Sequence, residues 1–302
     1  RDEARQRPDA PQFELGNDAP GPSQALGAQS GGAAMTAPRH PPQSAAPKAV
    51  SEALKAQRAY EEARQTRFGR GAERATRPLG EAVTGVVPPE TVRAALRMAD
   101  RLASATLPDL TQHDTADIAA CEAAARRVQA WAAGGNAATG AAAGWFGAAG
   151  MTADIPATLT LAARNVRATG LAFGIDGAGE DEAAYRLIVL EAATAQGEAG
   201  RAETLQNLNR MAEWLASPGG RMVLEKGGEW LTEKVLERVA RQLGISLAGR
   251  KAGQVVPILG GAVAAIVNAS FQTDVSRAAR YAYRQRWLMA RQLLDPPAEA
   301  GM

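Results

Sequence analysis

The chain has 302 residues, enough for one large domain or two small ones with ample core. Its 34 basic and 32 acidic side chains leave a net charge of +2, which argues against a nucleic-acid binder, since such proteins carry a large basic excess. One cysteine, Cys121, excludes an internal disulfide framework and fits a reducing compartment, and two histidines, His40 and His113, are too few for a typical histidine metal centre.

Residues 1–47 are rich in Pro, Gly, Ala, Ser and Gln, and poor in large apolar groups. Such a segment cannot bury enough surface to offset its ordering entropy and reads as a disordered tail. Met35 is the first methionine; residues 1–34 read either as lying upstream of the true start or as part of a longer protein. No secretory signal is legible there.

Beyond the tail the chain reads as helices. Ala49–Phe68 is charged on most faces and rich in helix formers, which predicts an exposed helix within a 48–88 helix-and-linker segment. Pro88-Pro89-Glu90 is a helix start, opening a segment through Ala105 and a helical domain over 89–294, with 295–302 as a tail. Asp114-Thr115 can cap the next helix, expected to stop at Gly134-Gly135. Glu180, Asp181 and Glu182 open a helix that ends before Gly197; Ala202–Leu215 and Gly220–Leu243 follow, broken at Ser217-Pro218-Gly219. No period-2 run is present. The fold class is all-α, a compact multi-helix bundle with a glycine- and alanine-rich core hairpin.

Two stretches carry no Asp, Glu, Lys or Arg: between Arg127 and Asp154, and between Lys251 and Asp274. Runs of this length belong in a helical core or in a bilayer. The first contains the GxxxG step Gly140–Gly144, which suits close helix packing in either setting. It has few of the large apolar side chains that drive insertion. The second is more apolar, but a helix opened by Pro257 has only about 15 residues before Asp274, short of the roughly 20 that span a bilayer. A buried hairpin fits better than a span.

Polar groups in and beside these stretches have two readings each. Asp154-Ile155-Pro156 reads as an N-cap aspartate with proline in the first turn of a helix Ala157–Phe173, or as a semi-buried carboxylate paired with Arg164 or Arg167. Asn268 reads as a buried amide serving neighbouring backbone, in preference to a ligand site. In the segment Asp274–Leu294, Arg277, Arg280, Arg284 and Arg291 fall within about 60° of one another at 100° per residue. Val275, Ala279, Ala282, Met289 and Leu293 lie opposite, with Arg286 among them. The basic stripe reads as a solvated face first, and otherwise as a contact for anionic lipid or an acidic partner.

No nucleotide loop, HExxH or CxxC is present, so no catalytic, cofactor or metal residue is assigned. Cys121, among alanines, reads as a small buried hydrophobe.

Ala141–Gly174 (AAAGWFGAAGMTADIPATLTLAARNVRATGLAFG) resembles the EcsC protein family signature, in which a small-residue run leads to a D-[IL]-P turn, a helix carrying an arginine and a Y/F-G ending. Asp154, Ile155, Pro156, Arg164, Phe173 and Gly174 occupy those positions. Gln254–Trp287 (QVVPILGGAVAAIVNASFQTDVSRAARYAYRQRW) resembles the family's other block through Pro257, Gly260, Asn268, Phe271, Val275, Ala279, Ala282, Tyr283, Arg284 and Arg286. The resemblance implies an all-helical fold and membrane proximity, the founding member being encoded beside ABC-transporter subunits linked to secretion. It supplies no catalytic residues, cofactor or metal.

The sequence therefore predicts a non-enzymatic helical protein acting through helix surfaces, cytoplasmic and peripheral to the inner face of a membrane. Its expected partner is an anionic membrane surface or a membrane transporter, with no nucleic acid. The alternative is a hydrolase whose carboxylate site the sequence does not locate.

Overall fold

The computed structural model describes residues 47–63, 90, 92–94, 96–98, 112–145, 147–175, 177, 179–195, 197–217, 233–241 and 260–294, with side chains placed at all of these except 135–156 and 260–268. The expected tail, His40 and the first part of the expected helix Gly220–Leu243 lie outside them. Within the described residues there are eight helices and no strand: α1 Pro47–Glu62, α2 at 90–98, α3 Ile118–Trp145, α4 Gly147–Ala172, α5 Glu180–Thr194, α6 Gly197–Ala216, α7 at 233–241 and α8 Gly260–Met289. The chain is all-α, as its sequence predicts.

The entry to α3 is set by two aspartates. Asp114 Oδ1 accepts from Ala116 N (2.8 Å), forming a turn, and Asp117 Oδ1 accepts from Ala119 N (2.9 Å), the N-cap bond. The cap is thus Asp117, three residues later than the sequence suggests. A second difference is larger: α3 does not stop at Gly134-Gly135 but continues to Trp145. Glycine costs about 1 kcal/mol in a helix interior, and the surrounding alanines together with packing against α8 outweigh it. Similarly, α4 begins at Gly147, so Asp154 and Pro156 lie inside a helix and the N-cap reading of Asp154 is corrected.

The end of α4 explains the Phe-Gly ending. Gly174 adopts φ +74, its N–H bonds Leu171 O (2.9 Å), and Ile175 N bonds Gly170 O (2.9 Å), which is the Schellman closure that favours glycine. A Cβ at Gly174 would also come within 2.9 Å of Thr115 Cβ. α8 closes in the same way with Gln292 at φ 55, where Leu293 N bonds Leu288 O (3.0 Å).

Helix α8 is the axis of the bundle, packed against α1, α3, α4, α5 and α6. Contacts fix its direction. Thr115, Glu122 and Gln129 meet Trp287, Arg284 and Arg280 in that order, so α3 and α8 are antiparallel. Thr158, Asn165 and Gly170 meet Gln272, Ser276 and Tyr283, so α4 and α8 are parallel. The Asp274–Leu294 segment is therefore the second half of a longer helix that is buried on nearly all sides: Phe271, Val275, Ala279, Ala282 and Leu288 are fully buried. Phe271, Val275, Ala279 and Ala282, the apolar positions of the second motif, form the core contact of α8.

α1 also departs from expectation. Ala53, Gln57 and Tyr60, spaced along one face, are buried, and Tyr60 stacks on Tyr281 with ring centroids 4.6 Å apart. Its charged residues cover only the outer faces, so α1 belongs to the bundle rather than to an exposed linker.

Candidate functional site

The densest group of buried charge lies where α1, α3 and α8 meet. Glu122 is the sole acid of α3. Its Oε1 accepts from Arg284 Nε (2.6 Å), and its Oε2 accepts from Arg280 Nη2 (2.8 Å) and Nε (3.2 Å). Gln57 from α1 accepts from Arg284 Nη1 (3.2 Å), and Gln129, two turns along α3, accepts from Arg280 Nη1 (3.1 Å). The Arg284 side chain is 4% exposed and that of Glu122 11%. Burial raises the Glu122 pKa, but Arg284 and Arg280 more than offset it and hold the carboxyl below its ordinary range. A carboxylate with both oxygens occupied by guanidiniums and little affinity for a proton is a poor base and a poor nucleophile. It is a good tie between helices.

The basic stripe is thus corrected. Arg280 and Arg284 point inward to Glu122 rather than to solvent. Arg277 donates through Nη2 to Ala63 O at the end of α1. Arg291 lies over the Trp287 ring (3.7 Å to its centroid) and donates to Thr115 O (3.3 Å). Thr115 O also accepts from Trp287 Nε1 (2.8 Å), so one carbonyl joins the α3 entry to the end of α8. His113 lies beside it, Nε2 to Ala172 O at 2.8 Å.

Two further ion pairs use acids the sequence did not mark as partners. Arg286 grips Glu182 with Nη1–Oε2 at 2.7 Å and Nη2–Oε1 at 2.6 Å while lying over the Tyr185 ring. Both arginines of the second motif, Arg284 and Arg286, are thus paired with acids inside the bundle. Glu191, 3% exposed, meets Arg238 of α7 at 2.6 Å. Burial raises the Glu191 pKa and Arg238 only partly offsets this. A neutral network adds to these: Asn165 Nδ2 lies 2.8 Å from Ser276 Oγ and donates to Gln272 Oε1 (3.1 Å), and Gln272 donates in turn to Thr158 O (3.2 Å).

The other sequence candidates do not join this cluster. Arg164 lies over the ring of Trp131 (4.5 Å to its centroid), tying α4 to α3, and Arg167 sits half-buried one turn on. Asp154 and Asn268 lie on α4 and α8 among residues whose side chains are not described, as do Gly140 and Gly144. Cys121 is fully buried and its thiol is pushed up to about 12, chiefly by burial, in keeping with a core hydrophobe. Glu122 was missed because partners across helices leave no mark in local spacing; its isolation as the one acid of a long alanine-rich helix was the available signal.

Among the described residues no group of His, Cys, Asp or Glu could hold a metal ion, and no helix is long and apolar enough to cross a membrane. No curated protein and no solved structure is significantly similar to the chain. The model of the EcsC protein family matches residues 48–288, beginning with α1 and ending in the last turn of α8. The arginines and apolar residues of the second motif are the groups that lock α8 into the bundle, and on that match the chain belongs to the EcsC protein family.

Proposed function

We propose that this protein works by contact rather than by catalysis, through helix surfaces, in the cytoplasm at the inner face of a membrane and beside a transporter or secretion system. The observation that carries the reading is the fate of the buried charges. Glu122, Glu182 and Glu191 are each closed by arginine, and each joins two different helices. Groups that would do acid–base work in a hydrolase are engaged instead in holding the bundle together. Glu122, held charged by two arginines, is the clearest case.

Fractionation of the native protein tests this reading. It predicts recovery with the membrane pellet at low salt and release by high salt or carbonate. A protein wholly in the soluble fraction at low salt contradicts the location. Turnover of ester, peptide or phosphoester substrates by the purified chain contradicts the contact role.

A further inference from the structure

Helix α1 is held to the bundle by less apolar surface than its neighbours. Of its 16 residues Ala53, Gln57 and Tyr60 are buried, and Gln57 is polar. Val50 and Leu54 are half-buried beside them. By contrast α5, at 15 residues, buries Tyr185, Ile188, Val189 and Leu190 among others. Hydrophobic stabilisation scales with the apolar area removed from water, so α1 is the more weakly anchored of the two. What fixes its position is a set of directed contacts with α8. Gln57 Nε2 donates to Tyr281 O (3.3 Å), and Gln57 Oε1 accepts from Arg284 Nη1 (3.2 Å). Tyr60 stacks on the Tyr281 ring, whose hydroxyl donates to Glu61 Oε1 (3.0 Å). Arg277 Nη2 donates to Ala63 O, just past the last turn. Residues 57, 60 and 61 share a face only at helical spacing, so these contacts need α1 to be a helix.

The helix depends on the contacts in turn. At 16 residues it barely exceeds the roughly 12–15 below which even alanine-rich isolated helices are marginal in water. It has no acid in its first turn and no base in its last, and Glu61 and Glu62 stand at the end where the helix dipole is negative. Arg277 brings a positive charge to that end only while α1 is docked on α8. Docking and helix formation therefore support each other, and a half-detached α1 has the benefit of neither. Arg284 keeps Glu122 as its partner when Gln57 leaves, so the tie between α3 and α8 outlasts the departure of α1.

We infer that α1 is a strap that undocks and unfolds as one cooperative piece while the rest of the bundle stays folded, uncovering the part of α8 that Gln57, Tyr60 and Glu61 cover. Opening of this sub-global kind belongs to elements anchored by few buried apolar contacts. The inference goes beyond the contact role proposed above and does not depend on it.

The test is amide hydrogen exchange of the full chain, followed over overlapping peptides across a series of low urea concentrations. Residues 51–62 are compared with α5, which packs against α4, α6 and α8. The first amides of α1 are left out because they have no intrahelical acceptor. The expected result is one common protection factor over 51–62, at least about tenfold below that of α5, with a shallower dependence on urea because less surface is exposed. Arg277→Met removes the donor to Ala63 O and should lower protection about two- to fivefold across the whole of α1, as far back as residue 51, with α5 unchanged. Tyr60→Ala should act over the same residues and more strongly, since it removes the largest buried side chain of the strap.

Two results overturn the inference. Protection and urea dependence in α1 equal to those of α5 would mean that α1 opens only when the whole bundle does. Protection graded from the helix ends, with the effect of Arg277→Met confined to the last turn, would mean that α1 frays instead of opening as one piece.

Discussion

Replacing Glu122 by glutamine keeps the side chain's shape and removes its charge. Arg284, with a side chain 4% exposed, would keep only amide oxygens from positions 57 and 122 as partners, while Arg280, 19% exposed, regains some water. Removing one member of a buried pair costs about 3–5 kcal/mol because the other charge is left uncompensated. The partial exposure of Arg280 sets the expected loss near the lower end, about 3 kcal/mol. With a urea slope of about 2–3 kcal/mol per molar, the midpoint followed by circular dichroism should fall by about 1–1.5 M. Glu122→Leu combined with Arg284→Met and Arg280→Met should be milder than Glu122→Leu alone, since apolar replacement of a whole buried charge cluster is often close to neutral. A Glu122→Gln midpoint within about 0.5 kcal/mol of the parent would refute the assignment of this pair as the tie between α3 and α8.

The two buried glutamates should give opposite pH signatures. The Glu122 pKa in the folded state lies below its ordinary 4.5, so its stabilisation is present above 4.5 and lost as pH falls through the lower folded value; Glu122→Gln should flatten that part of the acid-unfolding curve. Glu191 is raised instead, so its charged form imposes a cost that is present above its folded pKa and disappears as pH falls below 4.5. Since Arg238 is 42% exposed and stays hydrated, Glu191→Gln should melt within about 1 kcal/mol of the parent at neutral pH, and a loss comparable to that of Glu122→Gln would contradict this. Two glycines should also respond oppositely. Gly134→Ala meets nothing within 4 Å and should stabilise α3 by about 0.5–1 kcal/mol. Gly170→Ala would put a Cβ 2.9 Å from Tyr283 Cζ and 3.1 Å from Ile175 O, and should cost about 1–3 kcal/mol in thermal melts.

Fold class and family were legible because both depend on local pattern. Helical spacing, the acids that open α5, and the motif around Phe173-Gly174 are all set by neighbours in sequence. Helix ends were harder to read. Gly134-Gly135 and Asp154-Ile155-Pro156 are strong punctuation in isolation, yet tertiary packing and alanine propensity carry both helices through them. The arginine stripe shows the larger limit. A helical projection places Arg277, Arg280, Arg284 and Arg291 on one side, and charge on one side ordinarily means water. It means a buried partner here because Glu122 sits on a different helix 158 residues from Arg280, a distance that no local rule spans. The cation face pointed inward.

Hydrogen exchange of the full chain with and without anionic vesicles tests the account most directly. Amide exchange reports burial at each segment without a substitution that could disturb the fold. The account predicts that anionic vesicles slow exchange at surface segments while the buried ties around Glu122, Glu182 and Glu191 stay unchanged. Altered exchange at those ties, or no slowing anywhere on anionic vesicles at low salt, would contradict it.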